Sequence, residues 1–321
     1  MKIIPRLLIG VLIYAPLAVS AATLAYVTNQ SSNNVSVINL QTNQVIKEIA
    51  VGIKPAGVVV SADGRRVYIS NPESKSISVI DTDKNEVIQN LTVGDGPLGI
   101  EISPDGNSIY VADWYRHVIS VIDTAALKLD RTIAVGHSPA GIVADPLGKL
   151  IYVSNRDDNT VMMVDVETNT VLATIAVGKA PFGLALSTDR NQLYVANVQS
   201  SSVSIIDLEK RRVFKEVKVG LYPYAISYLQ KSRRLFVTNQ WDNTVSVIEL
   251  NDYEVSKTID VGENPEGIDV HPAETYVYVA NWFDGTISVI DTSTLLISNT
   301  IKAGEGTRAY GRFVLEKTGL P

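Results

Sequence analysis

Few groups of residues in this sequence have the types and spacing that chemistry requires. Two of its three histidines, His117 and His137, lie in one stretch with Asp95 and Asp113. With a third ligand they could hold a metal, and with an orienting carboxylate one of them could act as a base. The simpler reading is a pair of exposed loop histidines. Glu101 and Asp269 stand alone in apolar surroundings, Gly-Ile-Glu-Ile and Gly-Ile-Asp-Val. A buried carboxylate costs free energy unless it is paired, so each either organises internal water or serves as an acid or base. All three tryptophans, Trp114, Trp241 and Trp282, follow an Asn or Asp that ends an apolar run, directly or one residue on. Other chemistries lack their residues. There is no Gly-x-Ser-x-Gly elbow, phosphate loop or calcium loop, and the absence of cysteine removes thiol nucleophiles, disulfides, thiolate metal sites and covalent haem attachment. No catalytic set, metal site or cofactor is assigned.

The elements that position these residues follow from a repeat with a period of 42. Tyr26, Tyr68, Tyr110, Tyr152, Tyr194, Phe236 and Tyr278 recur at that spacing, as do Gly52, Gly94, Gly136, Gly178, Gly220, Gly262 and Gly304. One copy contains an apolar strand after Gly99, a Pro104-Asp105-Gly106 turn, a strand through Ile109-Tyr110-Val111, a third over Val118 to Asp123 and a fourth over Leu129 to Val135. β-Branched residues dominate and no helical period is present. Four short strands per copy and seven copies predict an all-β, seven-bladed β-propeller with 42-residue repeats. The first copy lacks its first strand, and Arg308 to Val314 align with it. The first blade is therefore expected to be closed by the C-terminal strand, which leaves no open sheet edge at the junction.

These repeats resemble a known family. Tyr26-Val27-Thr28-Asn29, together with the recurring Val-Gly-x-x-Pro-x-Gly and Ser-Val-Ile-Asp elements, is similar to the YVTN-type β-propeller repeats of YncE-like periplasmic proteins. The resemblance implies a fold shared with the heavy chain of methylamine dehydrogenase and with propeller lactonases. It leaves activity open, because a fold does not fix a function. A bound quinone is not expected, since the tryptophan docking motifs of quinone-dependent propellers are missing.

In a four-stranded meander the loop between blades and the loop after the second strand emerge on one face. That face gathers Trp114, Tyr115, His117, His137, Phe182, Tyr222, Tyr224, Trp241, Trp282 and Phe283. The position after the loop proline should point to the central mouth and reads Ala56, Leu98, Ala140, Phe182, Tyr224, Glu266 and Arg308. Glu266 and Arg308 there form either a closure ion pair or an anion subsite beside an aromatic wall. The repeated residues themselves read as structural. Gly52 and Gly94 serve tight loops, the loop prolines fix φ, Asn29, Asn71 and Asn155 suit turn hydrogen bonds, and His271 replaces Ser103 on the opposite face.

The N-terminus reads as a secretory signal peptide over residues 1–21, with Lys2 and Arg6 before an apolar run from Leu7 to Val19 and small residues at Val19-Ser20-Ala21. The propeller then occupies residues 22–321 in the periplasm or outside the cell, with no membrane span after cleavage. The chain holds 28 Lys and Arg against 34 Asp and Glu, a net charge of −6. Without Lys2 and Arg6, 26 against 34 gives −8. A nucleic-acid backbone is disfavoured as main partner. The expected role is a non-catalytic scaffold that binds a periplasmic protein or small ligand through its aromatic face. The alternatives are a lactonase-like hydrolase and a non-cofactor subunit or accessory of a quinoprotein dehydrogenase.

Overall fold

The computed structural model describes residues 22–317. The signal peptide expected over residues 1–21 lies outside them. Seven antiparallel sheets, each built around four strands, stand around a common axis and confirm the seven-bladed propeller. Blade three shows the plan, with an inner strand Pro97–Ile102 followed outward by Ser108–Asp113, Val118–Asp123 and Lys128–Ala134. Among the described residues no helix is long and apolar enough to cross a membrane.

Burial explains the sequence pattern. The second and third strands are covered on both faces by neighbouring blades, so they read as apolar runs, while the fourth strand faces solvent. The ring at the repeated aromatic position fills each gap, and Tyr26, Tyr68, Tyr194, Phe236 and Tyr278 are all but fully buried. Each such burial contributes roughly 2–3 kcal/mol. Tyr26 also donates its hydroxyl to Asn85 of the next blade at 2.6 Å. Turns are set by short side chains. Asp105 accepts bonds from Ser103 and the Asn107 N–H, and Asp81 accepts from the N–H groups of Asp83 and Lys84.

The repeated glycines answer to close approach more than to φ. Only Gly94 of the two loop glycines singled out has a positive φ, at 60°. A Cβ on Gly52 would instead lie 2.6 Å from Asn71. That asparagine, like Asn29, Asn197, Asn239 and Asn281, donates to hydroxyls on the adjacent third strand of its own blade. Nearer the axis, a Cβ on Gly99 would meet the Ala140 carbonyl at 1.9 Å. Glycine there lets the inner strand of one blade touch the mouth loop of the next.

The C-terminal segment closes blade one, with a register the period does not forecast. Val314–Lys317 pairs antiparallel with Ala22–Asn29, placing Val314 opposite Ala25. In blade four the matching partner of Ile151 is Ala144, whose 42-residue image is Arg312. The closing segment thus carries two extra residues between its isolated bridge at Thr307 and its ladder at Val314. The excess bulges sideways, so that Tyr310–Arg312 pairs in parallel with Gly57–Val60 of blade two. One segment therefore stitches two blades together.

Phe313, fully buried at the ladder's entrance, anchors this latch. Phe313→Ala should cost about 3–5 kcal/mol, the usual cost of emptying a buried aromatic site. Leu129→Ala, on an exposed outer strand, should change stability by less than about 1 kcal/mol. Urea midpoints measure both, and equal losses would mean that the segment is not the latch.

Candidate functional site

Two hydrogen-bonding devices position the mouth. In blades one, two, four and six the second strand carries Thr28, Ser70, Ser154 or Thr238. Each hydroxyl donates to the mouth-residue carbonyl of the next blade, at Ala56, Leu98, Phe182 and Glu266 respectively. Each also accepts an inner-strand N–H, from Ala309, Gly57, Gly141 and Ala225. The second device belongs to blade three, where Asp113 replaces the repeated asparagine. Its carboxylate accepts the N–H groups of Asp95, Gly96, Tyr115 and Arg116. Two top-face loops are welded together, directly beneath Trp114 and Tyr115. The exchange leaves the Ser120 hydroxyl, fully buried, without its usual asparagine partner.

The mouth opens into a funnel of about 440 Å³ lined by Gln30, Lys54, Pro72, Glu73, Gly96, Leu98, Trp114, Tyr115, Phe182 and Arg308. Its aromatic wall is Trp114, Tyr115 and Phe182. Trp114 lies 6.5 Å from Phe182 between ring centroids and carries the Arg156 guanidinium 5.7 Å from its own. Gly96 is required here, since a Cβ would fall 2.6 Å from the Tyr115 ring.

Below the funnel, Phe182, Tyr224 and Tyr310 form one aromatic layer with centroids 4.2 to 5.7 Å apart. Tyr310 reaches from the closing segment to blades four and five, where its hydroxyl lies 2.7 Å from the Cβ position of Gly141 and 3.5 Å from the Phe182 carbonyl. Its ring therefore spans the axis and separates the funnel from a lower cavity of about 240 Å³.

Arg308 sits on the funnel floor. Its Nη2 donates to the Tyr224 hydroxyl, and its Nε lies 2.8 Å from Glu266 Oε2, an ion-pair contact without an aligned hydrogen bond. Gln240 donates to the other Glu266 oxygen at 2.9 Å. Burial pushes the Glu266 carboxyl up, offset in part by Arg308 and Gln240. Burial opposes the Arg308 charge, but Glu266 and Tyr224 outweigh it and keep the guanidinium protonated. The closure ion pair expected from the sequence is thus present, and it is buried.

Glu101 and Asp269 both line the lower cavity, and both also bind the closing segment, a role the sequence did not show. Glu101 pairs with Arg312 and accepts the Ile102 N–H. Asp269 Oδ2 accepts the N–H groups of Phe313 and Val314 at 2.7 and 2.8 Å, and Oδ1 that of Val270. They are sockets for the two-residue excess.

The histidines do come together, 4.8 Å apart between ring centroids. Their carboxylate is Asp158, not Asp95 or Asp113, since Asp95 pairs with Lys75 and Asp113 is spent on backbone N–H groups. His117 Nδ1 accepts the Ser138 N–H at 3.1 Å, the bond that Asn159 and Asn243 supply to the following loops of their blades. His117 is therefore an asparagine substitute, and its N–H lies on Nε2. His137 Nδ1 lies 2.8 Å from Asp158, which also accepts the His137 backbone N–H as Asp242 and Asp284 do at their loops. Neither histidine lines the funnel. Among the described residues no three His, Cys, Asp or Glu side chains gather as a metal set.

The remaining candidates occupy separate places on the same face. Tyr222 stacks on Trp241 at 4.0 Å and 8°. It adopts φ 55° where other copies place Lys54, Ser138, Ala180 or Asn264, a strained conformation for a bulky side chain. Trp282 packs on Phe283 and donates to Gln30 across the closure. Sequence reasoning placed the aromatics on the right face but missed Gln30, Lys54, Glu73 and Tyr310. For Tyr310 a signal existed in Phe313-Val314-Leu315, apolar where the other copies place polar turn residues such as His271.

A family model described as YncE-like beta-propeller matches residues 57–148 and 143–234. The chain belongs to the YncE-like β-propeller family. A model of the cytochrome D1 heme domain matches residues 191–310. No functionally curated protein matches in sequence. Among solved structures, a chain of Kuenenia stuttgartiensis hydrazine synthase superposes with a TM-score of 0.75 at 22% identity, over 88% of this chain and 99% of that one. A protein of unknown function from Desulfotomaculum acetoxidans DSM 771 gives 0.78 at 16%, over 91% and 100%. Dihydro-heme d1 dehydrogenase NirN, in complex with DHE, gives 0.69 at 14%, over 89% and 74%. At these identities the likeness is one of fold.

The buried Asp269 gives a pH test of its socket role. Burial raises its carboxyl to about 6 from 3.8, against the pull of its backbone bonds and Arg312. With the folded value above the unfolded one, its contribution is fully present below pH 3.8 and is lost as pH rises through 6. Asp269→Asn removes this slope. Between about pH 3.5 and 7.5 the stability difference should move by about 3 kcal/mol in favour of the variant. Denaturant midpoints of both proteins across that range measure it, and a constant difference would contradict the raised value.

Proposed function

We propose that this protein is an exported, non-catalytic binding scaffold that captures a small ligand in the axial funnel. The observation that carries this reading is the funnel itself, with an aromatic wall on one side and Gln30, Lys54 and Arg308 as donors on the other. A concave, mostly apolar site with a few convergent polar groups is the usual form of a ligand pocket. Export rests on the basic and apolar N-terminal pattern.

The buried acids speak against a hydrolase. Glu101, Glu266 and Asp269 are held by the closing segment, and His137 lies on the rim with a carboxylate that recurs structurally at Asp242 and Asp284. A haem, suggested by the partial match to a haem domain and by the ligand named for NirN, does not fit the funnel as an iron site. Its lining offers no imidazole, thiolate or thioether, its one phenol, Tyr115, is exposed on the rim, and His117 is held by Ser138 in the tautomer that cannot ligate through Nε2. A second reading, docking of a protein, is favoured by Tyr115, Trp241 and Phe283, each at least 63% exposed on the same rim.

A thermal-shift screen of small molecules that includes tetrapyrroles and lactones tests the proposal. Ligands that stabilise the wild type should bind the Trp114→Ala/Tyr115→Ala variant at least about tenfold more weakly, given roughly 1 kcal/mol or more per stacked aromatic. Trp241→Ala should bind them normally. Ligands indifferent to the first variant would sink the funnel as the site, and turnover of a lactone would overturn the non-catalytic reading.

A further inference from the structure

The funnel floor carries a feature that narrows the ligand's chemistry. Arg308 uses Nε toward Glu266 and Nη2 toward Tyr224, and Nη1 has no acceptor among the described residues. Its side chain is only 15% exposed, and the guanidinium lines the funnel. A guanidinium carries five N–H donors in a planar fork, so this leaves a pair of donors without a protein acceptor on a residue that lines the funnel. Lys54, exposed at the rim, adds a second cation, and Glu73, also exposed, is the one carboxylate in the lining. Opposite this polar edge stands the half-buried Trp114 ring, with the buried Phe182 ring beside it backed by Tyr224, an apolar wall that suits a flat body.

We infer that the funnel binds small aromatic carboxylates, the carboxylate accepting from the free edge of Arg308 and the ring lying against Trp114 and Phe182. This rests on the reading of the funnel as a ligand site and commits it to one class. Glu266 does not occupy the free edge, because its Oε2 faces Nε of Arg308 and its Oε1 accepts from Gln240. Tyr224 and Tyr310 hold the guanidinium from below, and burial pushes both phenols above their usual range, so they remain neutral donors or acceptors at ordinary pH. The donor edge is thus fixed before ligand arrives, which removes most of the ordering cost of binding.

The test uses full-length protein without its leader and three matched probes, indole-3-acetate, indole-3-acetamide and tryptamine, titrated by calorimetry. The acid should bind about ten- to a hundredfold more tightly than the amide, the range of a hydrogen bond to a charged group, and the amine should not bind. Arg308→Lys keeps the charge beside Glu266 but loses the planar fork, and should erase the preference for acid over amide. Because the wild-type comparison needs no substitution, a folding defect in that variant does not obscure the result. Equal binding of acid and amide, both lost in Trp114→Ala, would overturn the carboxylate inference and leave the funnel as a ligand site. No binding of any probe to the wild type would overturn the inference. Acid binding that survives Trp114→Ala and Arg308→Lys alike would place the ligand elsewhere and overturn both.

Discussion

The ring depends on one segment being held at both of its edges. Blade seven packs on blade one as any blade packs on its neighbour, but the first blade lacks its own inner strand, and residues 304–317 provide it by entering the sheet of blade one while leaning on blade two. The two extra residues in this segment have nowhere to go within the regular ladder. They are accommodated because Gly311 adopts φ 127°, its Cβ position only 2.3 Å from the Val58 carbonyl, so no other residue would fit. Their polar backbone and side chains are then met by Glu101, Glu266 and Asp269, one from blade three and two from blade seven. Every buried glutamate or aspartate on an inner strand is explained by this one requirement.

The same requirement breaks the symmetry of the mouth. With seven regular copies, seven equivalent residues would surround an open axial channel. The excursion instead throws Tyr310 across the axis, while Arg308 just before it keeps the regular mouth position, so the channel becomes a funnel with a floor. Arg308 consequently serves two ends. Removing its charge would strand Glu266 in a buried site, a loss of about 3–5 kcal/mol for such a pair. A group that stability already demands is rigid, and rigidity is what a binding site requires of its donors. The proposed recognition would share a residue with closure because the ring junction is the one place where the repeat is obliged to depart from itself.

The fold was legible because the period is unbroken. Seven aromatic positions and seven glycines at constant spacing define blades, strands and the face to which each loop belongs, and the structure places all of these as the pattern requires. The site was legible only as a face. Trp241, Trp282 and Phe283, and Trp114 and Tyr115 all follow a second strand, yet they form three separate groups, the first stacked on Tyr222. What separates them is the angle between blades and the depth of each loop, quantities that no residue type encodes. The roles of Glu101 and Asp269 were hidden for a related reason: their partners lie more than forty residues away, in the single copy whose register slips. His117 shows the converse, a residue rich in chemical possibility whose Nδ1 merely stands in for an asparagine oxygen.

Natural sequences agree with their folds at every level except where something other than folding is served. The departures here have measurable local costs. Asp113 in place of asparagine leaves the buried Ser120 hydroxyl without its partner, which costs on the order of 1–3 kcal/mol. Tyr222 occupies a conformation that asparagine or glycine would adopt with less strain. The Asp113 exchange lies in blade three, beneath the Trp114 and Tyr115 wall of the funnel, and the closing segment gives the funnel Arg308. Blades four to seven, which keep the repeated asparagine at the end of every second strand, contribute to it only Phe182. The funnel thus takes its wall from the loops that Asp113 welds together and its floor from Arg308 of the closing segment, while the excursion itself, Tyr310 to Arg312, opens on the lower cavity.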